Sequence, residues 1–240
     1  RVTSFTNHDL LGIRTEIFKG SELVDGALGT YQSLITKDPV VTGGGTTLDT
    51  FNSDTVTSVK YFVVATDGGA NTQSEVLTVT TDGTNVSHTV IGTVHATGTT
   101  DFVAYSASIL SGTVTVTAIA SDNVTKVKAH RMAVLSSDAN AIQPINSNQT
   151  SFTKQYTSTG VATTVYELDT SSYRGAEVFV TVSDGTSNET SQLYIGYNGT
   201  NAFHTAYNVL PADGSVSRNT FAVSHAGSTL TLTLTNSTSG

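Results

Sequence analysis

A stretch that occurs twice constrains the fold of this chain more than any other feature. It runs from Ser74 to Val90 as SEVLTVTTDGTNVSHTV and returns from Ser191 to Tyr207 as SQLYIGYNGTNAFHTAY. In both copies an apolar run enters an Asp-Gly or Asn-Gly pair, and Thr-Asn and His-Thr follow at the same spacing. Type I′ hairpin turns require positive φ at both central positions, which Gly, Asn and Asp tolerate best. The chain is therefore predicted to be a duplication in which each copy contains this hairpin.

The duplication extends well beyond the hairpin. From Ser33 to Gly68 the first copy aligns with the second without a gap at an offset of 117 (150 − 33). After the loop at Asn71 the offset becomes 116 (198 − 82), a one-residue difference that an exposed loop tolerates. The predicted organisation is an N-terminal arm at 1–32, a first repeat at 33–135, a polar linker at 136–149 and a second repeat at 150–240.

Both repeats are predicted to be all-β. Charged residues make up only 12% of the chain, about half the usual share of roughly 25%, and Thr, Ser, Val and Gly replace them. Apolar residues alternate with threonines in segments bounded by turn residues, which is typical of antiparallel sandwiches of the jelly-roll or Greek-key type. The predicted strands of the first repeat are 34–41, 46–51, 59–66, 74–81, 86–94, 101–108, 113–119 and 125–134.

Composition excludes several classes of partner. The formal net charge is −8 and no cluster of Lys and Arg occurs, which argues against nucleic-acid binding. No apolar run approaches the roughly 18 residues of a membrane span, so no membrane insertion is predicted. The chain has no cysteine, and it has no D-x-D-x-D-G run for calcium. We predict no metal and no cofactor.

The arm at 1–32 is apolar but has no sustained period of 2 or 3.6. So many apolar side chains are a liability when exposed, so the arm is predicted to be buried, either against a partner chain or against its own first repeat. The arm residues predicted to make these contacts are Phe5, Leu10, Leu11, Ile13, Ile17, Phe18, Leu23 and Val24.

The second repeat is predicted to lack its last strand. The first repeat passes through a turn into a closing strand, Thr125 to Val134, whereas the second reaches Gly240 in the equivalent turn. We expect an open edge beside Thr229 to Thr235, filled either by a continuation of the natural chain or by a strand from another subunit. The chain starts at Arg1 and not at Met, which suggests part of a longer product.

Few residues suggest chemistry. His88 and His204 are the only equivalent histidines, and strand periodicity predicts half-buried structural side chains in preference to metal ligands. There is no G-x-S-x-G elbow and no recognisable pair of catalytic carboxylates, so the chain is predicted not to be an enzyme. Sugar-binding modules present exposed aromatic side chains. The chain has no Trp, but one cluster in the second repeat is a candidate ligand face: Tyr194, Tyr197, Phe203 and Tyr207.

Several motifs together resemble a known family. They are the YRGAEV run from Tyr173 to Val178, Asp184-Gly185, the Asn198-Gly199-Thr200 corner and the ending SGTVTVTAIASDNVTKVKAHRMAV at 111–134. This pattern resembles a domain repeated in structural proteins of tailed phages, especially those of marine bacteria, including cyanophage-like ones. The resemblance covers most of residues 48–240.

The resemblance implies a virion protein located on the extracellular particle. It would be a fibre, collar or decoration component that contacts other virion proteins through its arm. It would form a homo-oligomer, with a trimer expected for a fibre, and a host-surface glycan is a candidate partner. The alternative is a carbohydrate-binding or adhesin module of a cell surface or extracellular filament.

Overall fold

The structure is a computed structural model of an all-β chain. It describes residues 32–40, 45–67, 71–96, 98, 100–121, 125–135, 143–146, 149–151, 160–183 and 186–236. Within these ranges there is no helix, and all strand pairs are antiparallel. The predicted arm lies outside the described residues except for Gln32, so its burial stays a prediction.

The first repeat contains eight strands, as predicted, and each begins and ends within a few residues of the predicted bounds. They form a five-stranded sheet, β1-β8-β3-β4-β5, and a three-stranded sheet, β2-β7-β6. The strands are β1 (Gln32–Val40), β2 (Thr46–Asn52), β3 (Val56–Thr66), β4 (Thr72–Thr81), β5 (Val86–His95), β6 (Val103–Leu110), β7 (Thr113–Ala120) and β8 (Thr125–Leu135).

Alternation of apolar and polar residues explains why these segments are strands. In β7, Val114, Val116 and Ala118 are fully buried, while the threonines between them are at most half-buried. Side chains of a strand point alternately to opposite faces, so one face of β7 is apolar. That face contributes to a single core cluster with residues of the five-stranded sheet, including Val59 and Leu77.

The second repeat contains six further strands in two three-stranded sheets, β11-β16-β15 and β12-β13-β14. Leu230, Leu232 and Leu234 of β16 are almost fully buried and belong to one core cluster that contains residues of both sheets. The strands are β11 (Thr163–Asp169), β12 (Gly175–Ser183), β13 (Asn188–Tyr197), β14 (Ala202–Pro211), β15 (Asn219–Ala226) and β16 (Thr229–Asn236).

The predicted linker contains structure of its own. β9 (Gln143–Asn146) and β10 (Gln149–Ser151) pair as a short antiparallel hairpin. β9 lies within the predicted linker at 136–149, and β10 continues past its end.

Two of the irregularities of the sheets are duplicated along with the strands. Each repeat interrupts its strand pairing at the same two places, which lie between Thr47 and Asp49 in β2, Thr164 and Tyr166 in β11, Ser74 and Val76 in β4, and Thr190 and Gln192 in β13. These positions correspond at the offsets of 117 (164 − 47) and 116 (190 − 74) that the sequence alignment uses. Because bulges are positional features of a fold, their repetition supports the alignment independently of residue identity.

The second repeat has no counterpart of β8 among the described residues, as expected. The expected position of the open edge is wrong, however. The strand β16 is central and pairs with both β11 and β15, whereas β8 pairs with β1 and β3 in the other sheet. The edge without a β8 counterpart is therefore that of β12, the equivalent of β3. The chain crosses to the opposite sheet after β7, which sequence order does not reveal.

The two repeats contact each other through a buried polar layer. Outward-facing side chains of β4 meet those of β13: Thr190 Oγ1 donates to Thr80 Oγ1 at 2.9 Å, and Gln192 Nε2 donates to Thr78 Oγ1 at 3.2 Å. All four side chains are almost fully buried. Buried polar groups are costly unless they are hydrogen-bonded, so this layer favours one mutual arrangement of the two faces.

Candidate functional site

The candidate site is on the outer face of the sheet β12-β13-β14, beyond the part that contacts the first repeat. Strand pairing places Tyr194 of β13 opposite Thr205 of β14, and Gly196 opposite Phe203. Facing residues of an antiparallel pair project to the same side of the sheet. The arrangement brings two aromatic rings to one surface with a glycine beside them.

The aromatic rings on this surface are open to solvent. The exposed fractions of Tyr194 and Phe203 are 51% and 52%, respectively. The ring of Tyr194 stacks on Tyr207 with 5.1 Å between centroids and 12° between planes. We call Tyr194, Phe203 and Tyr207 the aromatic face.

A carboxylate borders the aromatic face. Glu177 of β12 lies opposite Tyr194, accepts a hydrogen bond from the Tyr207 hydroxyl at 3.0 Å, and forms an ion pair with Lys60 of the first repeat. Burial is the main cause that raises the pKa of Tyr207 above its usual value, and the Tyr194 hydroxyl and Glu177 raise it further. Tyr207 therefore remains a hydrogen-bond donor throughout the neutral and mildly alkaline range.

The fourth predicted residue, Tyr197, lies on the other face of the sheet. It pairs with Ala202, stacks on His225 at 3.9 Å between ring centroids, and packs against the core cluster of the second repeat. The guanidinium carbon of Arg174 lies 5.9 Å from its ring centroid. Tyr197 is thus a packing residue of the second repeat, and three of the four predicted aromatics lie together.

Lys60 and Glu177 were missed as site residues. They occupy equivalent positions in the two repeats, since they differ by the offset of 117 (177 − 60). Opposite charges at equivalent positions of the two repeats indicate that the same face of each repeat can contact the other. That signal was present in the alignment.

Both equivalent histidines are exposed, which makes the prediction of half-buried side chains wrong. His88 and His204 lie on β5 and β14, each of which is the last strand of its sheet. A side chain on an edge strand is covered on one side at most, even where it shares a face with core residues. In the described part of the chain, no three His, Cys, Asp or Glu residues are placed to hold a metal ion.

Comparisons with known proteins identify no relative. No protein-family model matches the chain, and neither the curated proteins nor the solved structures gave a significant match. Among the described residues, no helix has the length and apolar character needed to cross a membrane.

Proposed function

We propose that this chain is a non-enzymatic structural protein of a tailed-phage virion, in which two tandem β-sandwiches form part of a fibre, collar or decoration. Two features support the proposal: the motif resemblance and the contact between the repeats. In such a particle the protein forms a homo-oligomer, with a trimer as the form expected for a fibre.

The contact between the repeats is the observation that carries this proposal. Tandem domains ordinarily move relative to each other unless their interface is extensive. Here threonine and glutamine side chains of β4 and β13 are buried and hydrogen-bonded to each other, and Asn188 Nδ2 also donates to the Thr81 carbonyl. A chain of this kind transmits force as one unit, which suits a projecting element of a particle.

Particle purification tests the proposed role. Particles of the phage that encodes the chain are purified on a density gradient, and their proteins are quantified by mass spectrometry. The proposal predicts that the chain copurifies with infectious particles in a fixed copy number and that antibodies to it decorate intact virions. Absence from purified particles, with the chain recovered only in the lysate, contradicts the proposal.

Carbohydrate binding is a second candidate function, and the exposed aromatic face favours it. Aromatic rings stack on the apolar side of pyranose rings, while a neighbouring carboxylate such as Glu177 accepts hydrogen bonds from sugar hydroxyls. The face presents both groups on a sheet surface, where their positions are fixed by strand pairing.

A glycan array with matched variants tests this second candidate. Phe203→Ala and Tyr194→Ala should each abolish detectable binding. Phe62→Ala is the control, because Phe62 lies on the outer face of the first repeat and has the same exposed fraction of 52% as Phe203. Equal loss in the control and in Phe203→Ala, or no glycan bound by the unchanged protein, rules out recognition by this face.

A further inference from the structure

The turn between β13 and β14 contains Asn198, the one asparagine of the chain that is followed by glycine. Both Asn198 and Gly199 are exposed. In such a pair the backbone nitrogen of the second residue can attack the side-chain amide carbon of the first and close a five-membered ring. Glycine has no Cβ to obstruct this approach. The turn therefore places a nucleophile and an electrophile in two neighbouring residues.

Two backbone donors activate the side-chain amide of Asn198 as an electrophile. Its Oδ1 accepts hydrogen bonds from the N–H groups of Thr200 at 3.0 Å and Asn201 at 2.8 Å. Attack on the amide carbon develops negative charge on this oxygen. Donors that already point at the oxygen stabilise that charge without reorganisation, as they do in an oxyanion hole. The folded turn therefore favours attack on Asn198.

The attacking nitrogen differs between the two repeats. In the first repeat the Gly83 N–H donates to Thr81 Oγ1 at 3.1 Å. The residue equivalent to Thr81 is Tyr197, which packs against the core and whose hydroxyl donates to the Gly199 carbonyl. Within the described ranges the Gly199 N–H has no hydrogen-bond acceptor. It is therefore more available for loss of its proton and for attack than the Gly83 N–H is.

The first repeat shows that this turn accommodates a carboxylate in place of the amide. Asp82 occupies the position of Asn198, and its Oδ1 accepts hydrogen bonds from the N–H groups of Thr84 and Asn85 at 2.9 Å and 2.6 Å. Asn85 Nδ2 also donates to Asp82 Oδ2 at 3.0 Å. Asn201 is the equivalent of Asn85 at the offset of 116 (201 − 85). A carboxylate at position 198 would therefore gain the same side-chain donor.

We propose that Asn198 is a site of spontaneous deamidation in the folded protein. The Gly199 nitrogen gives its proton to hydroxide and attacks Asn198 Cγ, the Cγ–Nδ2 bond breaks, and Nδ2 takes up a proton from water and leaves as ammonia. The resulting succinimide takes up one water and opens at either carbonyl to aspartate or isoaspartate. No electrons are transferred, and the net change is water in and ammonia out. The aspartate product reproduces the Asp82-Gly83 sequence of the first repeat.

Peptide mapping by mass spectrometry tests the proposal on the full chain, incubated in the folded state at mildly alkaline pH. Asn198 should convert progressively to aspartate and isoaspartate. Asn201 is the internal control, because it is exposed in the same turn but is followed by alanine, and it should remain an amide. If Asn198 keeps its amide in the folded protein under conditions in which the urea-unfolded chain converts, the proposal is overturned.

A matched variant separates the effect of the turn from that of the Asn-Gly sequence. Asp82→Asn places the same pair in the first repeat, where Thr81 holds the Gly83 N–H. The new asparagine should convert about threefold to tenfold more slowly than Asn198 in the same molecule, a factor that corresponds to one ordinary hydrogen bond. Adding Thr81→Val removes the acceptor and should raise that rate, while thermal unfolding reports that each variant is folded. Equal rates at positions 82 and 198 in Asp82→Asn would overturn the proposal.

Discussion

Replacement of Arg131 by Met is expected to destabilise the first repeat strongly. The guanidinium Nε donates to Asp49 Oδ2 at 2.8 Å, and the Tyr61 hydroxyl donates to the same oxygen at 2.7 Å. Arg131 also lies over the ring of Phe51, with 5.8 Å from its guanidinium carbon to the centroid. These contacts connect β8 and β3 of one sheet with β2 of the other.

The expected loss can be estimated from the burial of the three groups. Removing one partner of a buried ion pair costs about 3–5 kcal/mol. The Asp49 side chain keeps an exposed fraction of 16%, so solvent moderates its loss of a partner, and Tyr61 still donates to it. We therefore expect a decrease of about 3 kcal/mol in the free energy of unfolding, or roughly 6–12 °C in Tm for a chain of this size.

Urea denaturation and calorimetry of matched variants measure this loss. Lys128→Met is the control, because Lys128 is an exposed residue of the same strand and its replacement removes the same charge. It should change stability by no more than about 0.5 kcal/mol. If Arg131→Met is as stable as Lys128→Met, the buried ion pair does not hold the two sheets together and the reasoning is refuted.

Two further predictions concern close packing and pH. Gly175→Ala should destabilise the second repeat by about 1–3 kcal/mol, since the added Cβ would lie 2.6 Å from the Ile195 carbonyl oxygen. Gly196→Ala is the control and should be tolerated, because the atom nearest to its Cβ, the Arg174 carbonyl oxygen, is 3.8 Å away. Equal Tm values for the two variants would contradict this prediction. Burial lowers the pKa of His130 below its usual value, so unfolding takes up a proton and stability should fall as pH decreases below about 6.5. His130→Gln should lessen that fall in urea titrations between neutral and mildly acidic pH, and an unchanged pH profile would contradict the assignment.

Local features of the fold were predictable from sequence. The hairpins at Asp82-Gly83 and Asn198-Gly199 were predicted correctly, but the predicted type I′ turns are wrong, because Gly83 and Gly199 have positive φ and Asp82 and Asn198 do not. The Asp82 and Asn198 side chains instead accept hydrogen bonds from the backbone N–H groups two and three residues further on. The alternation in Leu230, Leu232 and Leu234 requires one apolar face. Such features depend on neighbouring residues, and no knowledge of sheet order is needed to recognise them.

Other features depend on sheet order, which sequence did not reveal. The exposure of His88 and His204 follows from the edge positions of β5 and β14. Among the described strands, β12 has a neighbour on one side only, because the counterpart of its other neighbour is β8, which pairs with β3 in the first repeat. Tyr197 is a different case. It is three positions from Tyr194, and an odd separation in a regular strand places two side chains on opposite faces. Its separation from the aromatic face could therefore have been predicted.

An engineered disulfide tests most directly the central claim that the two repeats are joined face to face by β4 and β13. The Oγ1 atoms of Thr80 and Thr190 lie 2.9 Å apart, and the chain has no cysteine of its own. Thr80→Cys combined with Thr190→Cys should form an intramolecular disulfide under mild oxidation, detected by intact mass and peptide mapping of the monomer. Thr80→Cys combined with Thr205→Cys, on the exposed part of β14, should remain reduced. A reduced first pair, or equal oxidation of both pairs, would contradict the face-to-face arrangement.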